Sequence, residues 1–323
     1  MTPFSAAPPA PATLTRATIG AWMRAFQAQL CADLETLDGT ATFRHDAWDR
    51  PEGGGGQTNI LVGGALLEKA GVAFSGVWGE LSGAAAQALE LPARDFFATG
   101  VSVVLHPRSP WIPITHMNVR YFEADEGRRA WFGGGADLTP IYVNEAEARA
   151  YHRHLRAAVE AARPGEDGRL YERLRDWADT YFYSPHRHET RGIGGLFADR
   201  LGADAAAREE VESWFPLIQA IAGAFFPAWA EIATANRTRP YGETEQTWQR
   251  LRRGRYAEFN LALDRGTRFG LETGGRTESI LMSLPPLASW EYDHHPAPDS
   301  AEAQTQAWLR KGVNWAGLHP GGE

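Results

Sequence analysis

Val101-Ser-Val-Val-Leu-His-Pro-Arg-Ser-Pro-Trp-Ile-Pro-Ile-Thr-His-Met-Asn-Val-Arg-Tyr121 is the stretch on which the reading of this chain turns. Val101 to His106 and Thr115 to Phe122 have the β-branched and aromatic content of strands. Pro107 to Pro113, with a proline at each end and one between, cannot lie in a central strand. Two neighbouring strands joined by a short loop predict an antiparallel pair. Side chains alternate faces along a strand. Ser102, Val104 and His106 therefore share a face, as do His116, Asn118 and Arg120. Val101, Val103, Leu105, Met117, Val119 and Tyr121 point the other way, toward a core. A row of Ser, two His, Asn and Arg on two sheet strands is costly unless wet or ligand-bound, and the functional reading is preferred to a solvated outer face.

Working outward, Ile19, Trp22, Phe26, Leu30, Leu34 and Leu37 recur at helical spacing and stop at Gly39. Short β-like runs follow at Thr42 to Trp48, Thr58 to Val62 and Val72 to Val77. Gly53 to Gly56 lacks the G-K-[ST] of a phosphate loop and reads as a flexible hairpin or lid. Asn144 caps a predicted helix that ends at Pro164-Gly165. Tyr171, Leu174, Trp177 and Tyr181 mark another. Ala203 to Ala235 is helical, with Pro216 and Pro227 expected to kink or break it. Tyr256 to Asp264 alternates like a strand, with Ala257, Phe259, Leu261 and Leu263 on one face. Ser279 to Leu284 reads as a further strand, and Ala301 to Val313 as a short helix. Strands early and late with helices between predict an α+β fold: a single domain, residues 16–323, on one large antiparallel sheet, behind a disordered tail at 1–15.

Composition narrows the function. The 323 residues carry a formal net charge of −8 with no basic run, which argues against nucleic-acid binding. An acidic protein that binds an anion must concentrate arginine locally. The one cysteine, Cys31, sits in an apolar helical pattern and reads as a core residue. It permits no intramolecular disulfide or multi-cysteine cluster and suits a reducing cytoplasm. The twelve tryptophans read mainly as core anchors. No signal peptide or transmembrane run is expected.

Three more stretches could carry chemistry. Trp131-Phe-Gly-Gly-Gly-Ala-Asp-Leu-Thr-Pro140 lets a flat ligand approach the backbone with Asp137 beside it, or is a turn with Asp137 as a local cap. His186-Arg-His-Glu-Thr-Arg-Gly-Ile-Gly-Gly-Leu-Phe197 offers a His-x-His metal pattern, or is an exposed charged loop. His152 and His154 could add one ligand, since residues i and i+2 of a helix diverge. Gly274-Gly-Arg-Thr-Glu-Ser-Ile-Leu-Met-Ser-Leu-Pro-Pro286 delivers Arg276 to an anion, or is a surface turn.

With these stretches in order, the chain resembles the oxygen-dependent coproporphyrinogen III oxidases from the first helix to the C-terminus. The matching segments are Pro113-Ile-Thr-His-Met-Asn-Val-Arg-Tyr-Phe122, Trp131 to Pro140, His186 to Phe197 and Gly270 to Pro286. Ala178 and Ala198 stand where the family usually has Cys and Phe. The resemblance implies a large, rather flat sheet sandwiched between helices, and a homodimer with its interface near residues 256–292. It implies oxidative decarboxylation of two propionates of coproporphyrinogen III to vinyls, giving protoporphyrinogen IX, with dioxygen as acceptor and release of carbon dioxide and hydrogen peroxide. Ser102, Asn118, Val119, Arg120, Gly274, Gly275 and Arg276 fall at substrate-binding positions. His116 falls at a proton donor, and Asp137 where an Asp meets the pyrrole nitrogens. His106, His116, His152 and His186 fall at a divalent, manganese-type metal site, expected to be accessory. No organic cofactor is expected, because no dinucleotide or haem-attachment motif is present. Rival readings are a mononuclear metal oxygenase or hydrolase and a non-catalytic tetrapyrrole carrier.

Overall fold

The computed structural model describes residues 7–81, 83–88, 95–272 and 274–317. Helix α1 (Arg16–Asp38) begins at a Thr15 cap and ends at Gly39 in the left-handed region, φ 81°. Strands β1 (Arg44–Asp49), β2 (Gly54–Val62) and β3 (Leu67–Glu80) follow. The four-glycine run makes the β1–β2 hairpin: Gly53 and Gly54 both have positive φ, which the tight turn requires. A short helix α2 (Gly83–Ala88) precedes β4 (Asp95–Pro107), β5 (Ile114–Ala124) and β6 (Arg129–Thr139). Then come α3 (Glu145–Ala162), α4 (Arg169–Tyr181), the small hairpin β7 (Tyr183–Ser184) with β8 (Glu189–Thr190), and β9 (Gly195–Leu201). The C-terminal part holds α5 (Arg208–Glu212), α6 (Phe215–Asn236), α7 (Glu243–Ala262), α8 (Arg265–Glu272), α9 (Thr277–Leu281) and α10 (Ala301–Trp308).

Seven strands form one antiparallel sheet in the order β1-β2-β3-β4-β5-β6-β9. This is the α+β class expected, on one antiparallel sheet, but among the described residues no strand follows Leu201. Val101, Val103, Leu105, Met117, Val119 and Tyr121 do form one buried face, packed with residues of α1, α3 and α6 into the main core. Helix α6 carries this packing with Phe225 and Trp229 essentially inaccessible. The segment Arg208–Asn236 is long and apolar enough to cross a membrane by length and composition, and most of it is buried in this core.

Several expectations are corrected. Tyr256 to Asp264 is not a strand but the end of α7: Phe259 is buried and Leu261 exposed, and the two-residue alternation is a short-window coincidence with a helical stripe. That stripe is masked because α7 also buries Gln249, Arg252, Arg253 and Asn260. Ser279 to Leu284 is likewise no strand; it holds the end of α9 and the turn after it. Pro216 falls in the first turn of α6, where no amide hydrogen is needed, and Pro227 lies inside the helix without ending it. Residues 7–15, expected as a loose tail, run along the core: Ala7 packs against it, and Trp22 Nε1 donates to the Pro8 carbonyl at 2.8 Å. Residues 1–6 lie outside the described residues.

Candidate active site

Strand register sets out the opposite face row by row. Asp46, Thr58, Ala73, Ser102, Asn118 and Gly135 lie side by side across β1 to β6. One flanking row is Gly56, Ser75, Gly100, Arg120 and Gly133; the other is Ile60, Gly71, Val104, His116 and Asp137. The polar residues of β4 and β5 therefore do coincide on one face. Small residues dominate around them, leaving a low floor. Ser102, His116, Asn118 and Arg120 alternate as half-buried positions with fully buried neighbours.

Two arginines mark opposite sides of this floor. Arg120 donates from Nη1 to Asn118 Oδ1 at 2.7 Å and from Nη2 to Asp199 Oδ1 at 2.8 Å. Gly133 makes room for it: a Cβ there would sit 2.8 Å from Arg120 Nε. Arg276 donates to Asp46 Oδ2 at 2.7 Å, and the hydroxyls of Ser279 and Thr58 bond at 2.7 Å, seating α9 on β1 and β2. Gly274 and Gly275 end α8 and turn the chain toward Arg276; Gly274 has φ 73°, and Gly275 N donates to the Gly270 carbonyl. The strands of Asp46 and Arg120 are four spacings apart, on the order of 19 Å. Each arginine is thus already paired with a carboxylate of its own chain. Val119 is different: its side chain is wholly buried in the core on the far face, so it can contact nothing on the floor.

On β5 and β6, along the same strand as Arg120, His116, Asp137 and Arg191 form a hydrogen-bonded chain. His116 Nδ1 donates to Asp137 Oδ1 at 2.8 Å, and Arg191 Nη2 donates to both Asp137 oxygens at 2.8 Å. Asp137 is 2% exposed. Burial alone would push its carboxyl up; the Arg191 charge, aided by His116, outweighs burial and holds it below the usual carboxylate range. Arg191 is raised in turn, because the Asp137 charge outweighs its own desolvation. Asp137 is therefore an ionised group behind His116 rather than a surface carboxylate open to a ligand. His116, with 17% of its side chain exposed, is the member of this chain that reaches the floor.

The four histidines expected to share a metal are not brought together. His152 lies on α3, behind the sheet, with Nδ1 on the Tyr171 hydroxyl and Nε2 on the Ile193 carbonyl. His106 is fully buried, its Nε2 donates to the Ser283 carbonyl at 2.8 Å, and its ring meets Tyr256 edge-on. His186 bonds Glu258 at the surface, as does Arg187. Burial pushes His106 down to about 3 and His152 down to about 4, so both are neutral pegs. Among the described residues no three His, Cys, Asp or Glu are placed to hold a metal ion together. The donor set does not fit a shared ion.

Sequence reasoning missed Arg191, Asn260, Asp199 and Asp46. Asp199 and Asp46 stand 79 and 230 residues from the arginines they pair with, and no local pattern links them.

The face thus combines a floor of small residues, two guanidinium groups each paired with a carboxylate, and a buried His–Asp–Arg chain at its β5–β6 side. A family model described as Coproporphyrinogen III oxidase matches residues 18–315. The chain belongs to the coproporphyrinogen III oxidase family: an oxidoreductase of haem and porphyrin biosynthesis whose substrate is coproporphyrinogen III.

Proposed function

We propose that this chain is an oxygen-dependent coproporphyrinogen III oxidase, converting two propionates to vinyls on the open face of its sheet. Each step removes carbon dioxide from R–CH2–CH2–COOH and passes two electrons and two protons to dioxygen, giving R–CH=CH2 and hydrogen peroxide. A porphyrinogen is electron-rich enough to react with oxygen itself, so the protein's task is to position, deprotonate and shield it. The lone cysteine gives the chain no thiolate set for an iron–sulfur cluster of its own.

The observation that carries the reading is the His116–Asp137 pair beside the low floor. Propionates exchange with Asp199 and Asp46 for the guanidinium groups of Arg120 and Arg276. Ser102 and Asn118 supply neutral hydrogen bonds between them. With Asp137 ionised, Nδ1 of His116 carries the ring hydrogen and Nε2 is free to accept a pyrrole N–H proton. Losing that proton raises electron density in the ring and favours attack on oxygen. The test is product analysis after incubating purified protein with coproporphyrinogen III. With oxygen, protoporphyrinogen IX forms with one carbon dioxide and one hydrogen peroxide per vinyl; without oxygen, none forms. Turnover that continues anaerobically would contradict the reading, and tight binding without carbon dioxide release would favour a carrier.

The acting unit is proposed to be a homodimer in the cytoplasm. Leu261, Phe269, Leu271, Leu287, Trp290 and Tyr292 are large apolar side chains exposed within the C-terminal region, a concentration that suits a second copy. A stable, active monomer in sedimentation at low micromolar protein would contradict the dimer.

A further inference from the structure

Arg191 belongs to a charged run for which an exposed loop is one of two readings, yet it is 4% exposed. Its Cζ lies 4.4 Å from the ring centre of Phe182, 4.8 Å from Tyr256 and 5.0 Å from Phe259. Nη1 donates to Asn260 Oδ1 at 2.7 Å, while Nη2 holds both oxygens of Asp137. Three rings and two polar partners leave this guanidinium one orientation. Most of that box comes from α7, which supplies Tyr256, Phe259 and Asn260. A buried ion pair is a poor source of net stability, since desolvation cancels much of its attraction. This pair has a further consequence, because Asp137 Oδ1 is shared between Arg191 and His116.

We propose that Arg191 is the positioning residue of the site: it locks the Asp137 carboxylate so that Oδ1 receives the Nδ1–H of His116 and Nε2 is left bare on the floor. This deepens, and rests on, the proton role given to His116. A carboxylate held at both oxygens cannot rotate, and a fixed acceptor at Nδ1 selects one imidazole tautomer. Lysine would keep the positive charge but, as a single flexible point, could not hold Asp137 and Asn260 in one plane.

The test uses full-length protein labelled with 15N-histidine, with the His116 ring signals assigned by their absence in His116→Gln. In the unsubstituted protein His116 shows a protonated Nδ1 and a bare Nε2. In Arg191→Lys the two tautomers mix, kcat falls by roughly 10²-fold as a displaced reacting group would cause, and KM stays nearly unchanged. Asn260→Ala keeps every charge and removes the acceptor that steers Nη1, together with a longer contact to Ser283 Oγ; it shifts tautomer and kcat in the same direction by less, and it serves if Arg191→Lys does not fold. An unchanged tautomer in the folded variants overturns the proposal. A mixed tautomer with unchanged kcat upholds the positioning role and overturns the proton role of His116.

Discussion

Val103, Met117 and Val119 are closed under α1, α3 and α6, while Ser102, Asn118 and Arg120, their immediate neighbours in sequence, stay partly open on the other side. The two faces come from the same strands and differ in what finishes them. The closed face is covered by large apolar side chains such as Trp229 and Phe225, and its histidine, His152, has both ring nitrogens spent on internal hydrogen bonds. The open face is floored by glycine, alanine and serine, its arginines are paired with exchangeable carboxylates, and its partly exposed histidine, His116, has Nδ1 engaged with Asp137. Saturated contacts make a core, and contacts left one partner short make a site.

The largest break in that comparison should come at Asp137, where a core-like ion pair supports the open face. Asp137→Asn is expected to lower turnover by roughly 10²–10⁴-fold, the range for a positioned acid–base group, with substrate affinity falling less. It also leaves buried Arg191 without the carboxylate it is paired with, so urea denaturation should show a loss of about 3–5 kcal/mol. Near wild-type turnover would make Asp137 purely structural. Next in size is Arg276→Lys, which keeps charge but not the fork. A lost charge-assisted hydrogen bond of about 1.5–3 kcal/mol should raise KM roughly tenfold or more, and unchanged kinetics for Arg276→Lys and Arg276→Ala would remove Arg276 from the site.

The two buried histidines, His152 behind the sheet and His106 under α7 on the other face, should reveal themselves through pH. Unfolded histidine titrates near 6.5, whereas burial holds His152 at about 4 and His106 at about 3. Above pH 6.5 neither state gains a proton and stability is complete. Between about 6.5 and 4 the unfolded chain binds protons that the folded chain refuses, so stability falls by about 1.4 kcal/mol per pH unit for each residue. Asp137 behaves differently. Its depressed carboxyl keeps its contribution through that window and loses it only below the unfolded value of about 3.9. Denaturation curves flat from pH 7 to 5 would contradict the neutral burial of both histidines. The smallest effect is expected at Asp199. Its ion pair with Arg120 is partly exposed, and such pairs contribute about 0.2–1 kcal/mol; Asp199→Asn should free Arg120 and lower KM by a few-fold at most. A rise in KM would instead show that Asp199 holds Arg120 in place.

Much of this was legible in the sequence, for physical reasons. Strand alternation in Val101 to Tyr121 assigns both faces of β4 and β5, because the period of two leaves no freedom. Gly39 and Asn144 mark helix ends through backbone geometry and side-chain capping. The pairing of His116 with Asp137 was not legible, since it depends on the register of β5 on β6. The placement of His152 behind the sheet was hidden as well, because a helical pattern does not say which face of a sheet it covers. Arg191 was obscured by its charged neighbours: a buried guanidinium in an aromatic box has the same local sequence as a solvated one. Tyr256 to Asp264 misled because its buried set includes Asn260, a polar residue that the helix commits to Arg191.

The most direct measurement compares the two histidines that the two faces treat in opposite ways. Turnover and thermal stability would be measured side by side for His116→Gln and His152→Gln, with substrate saturating and the folded fraction known. The account predicts that His116→Gln stays folded and loses turnover by roughly 10²–10⁴-fold, while His152→Gln lowers the melting temperature and leaves the turnover of the folded enzyme nearly intact. If His152→Gln abolished turnover in a fully folded protein while His116→Gln remained active, the site would not lie on the open face and the account would be wrong.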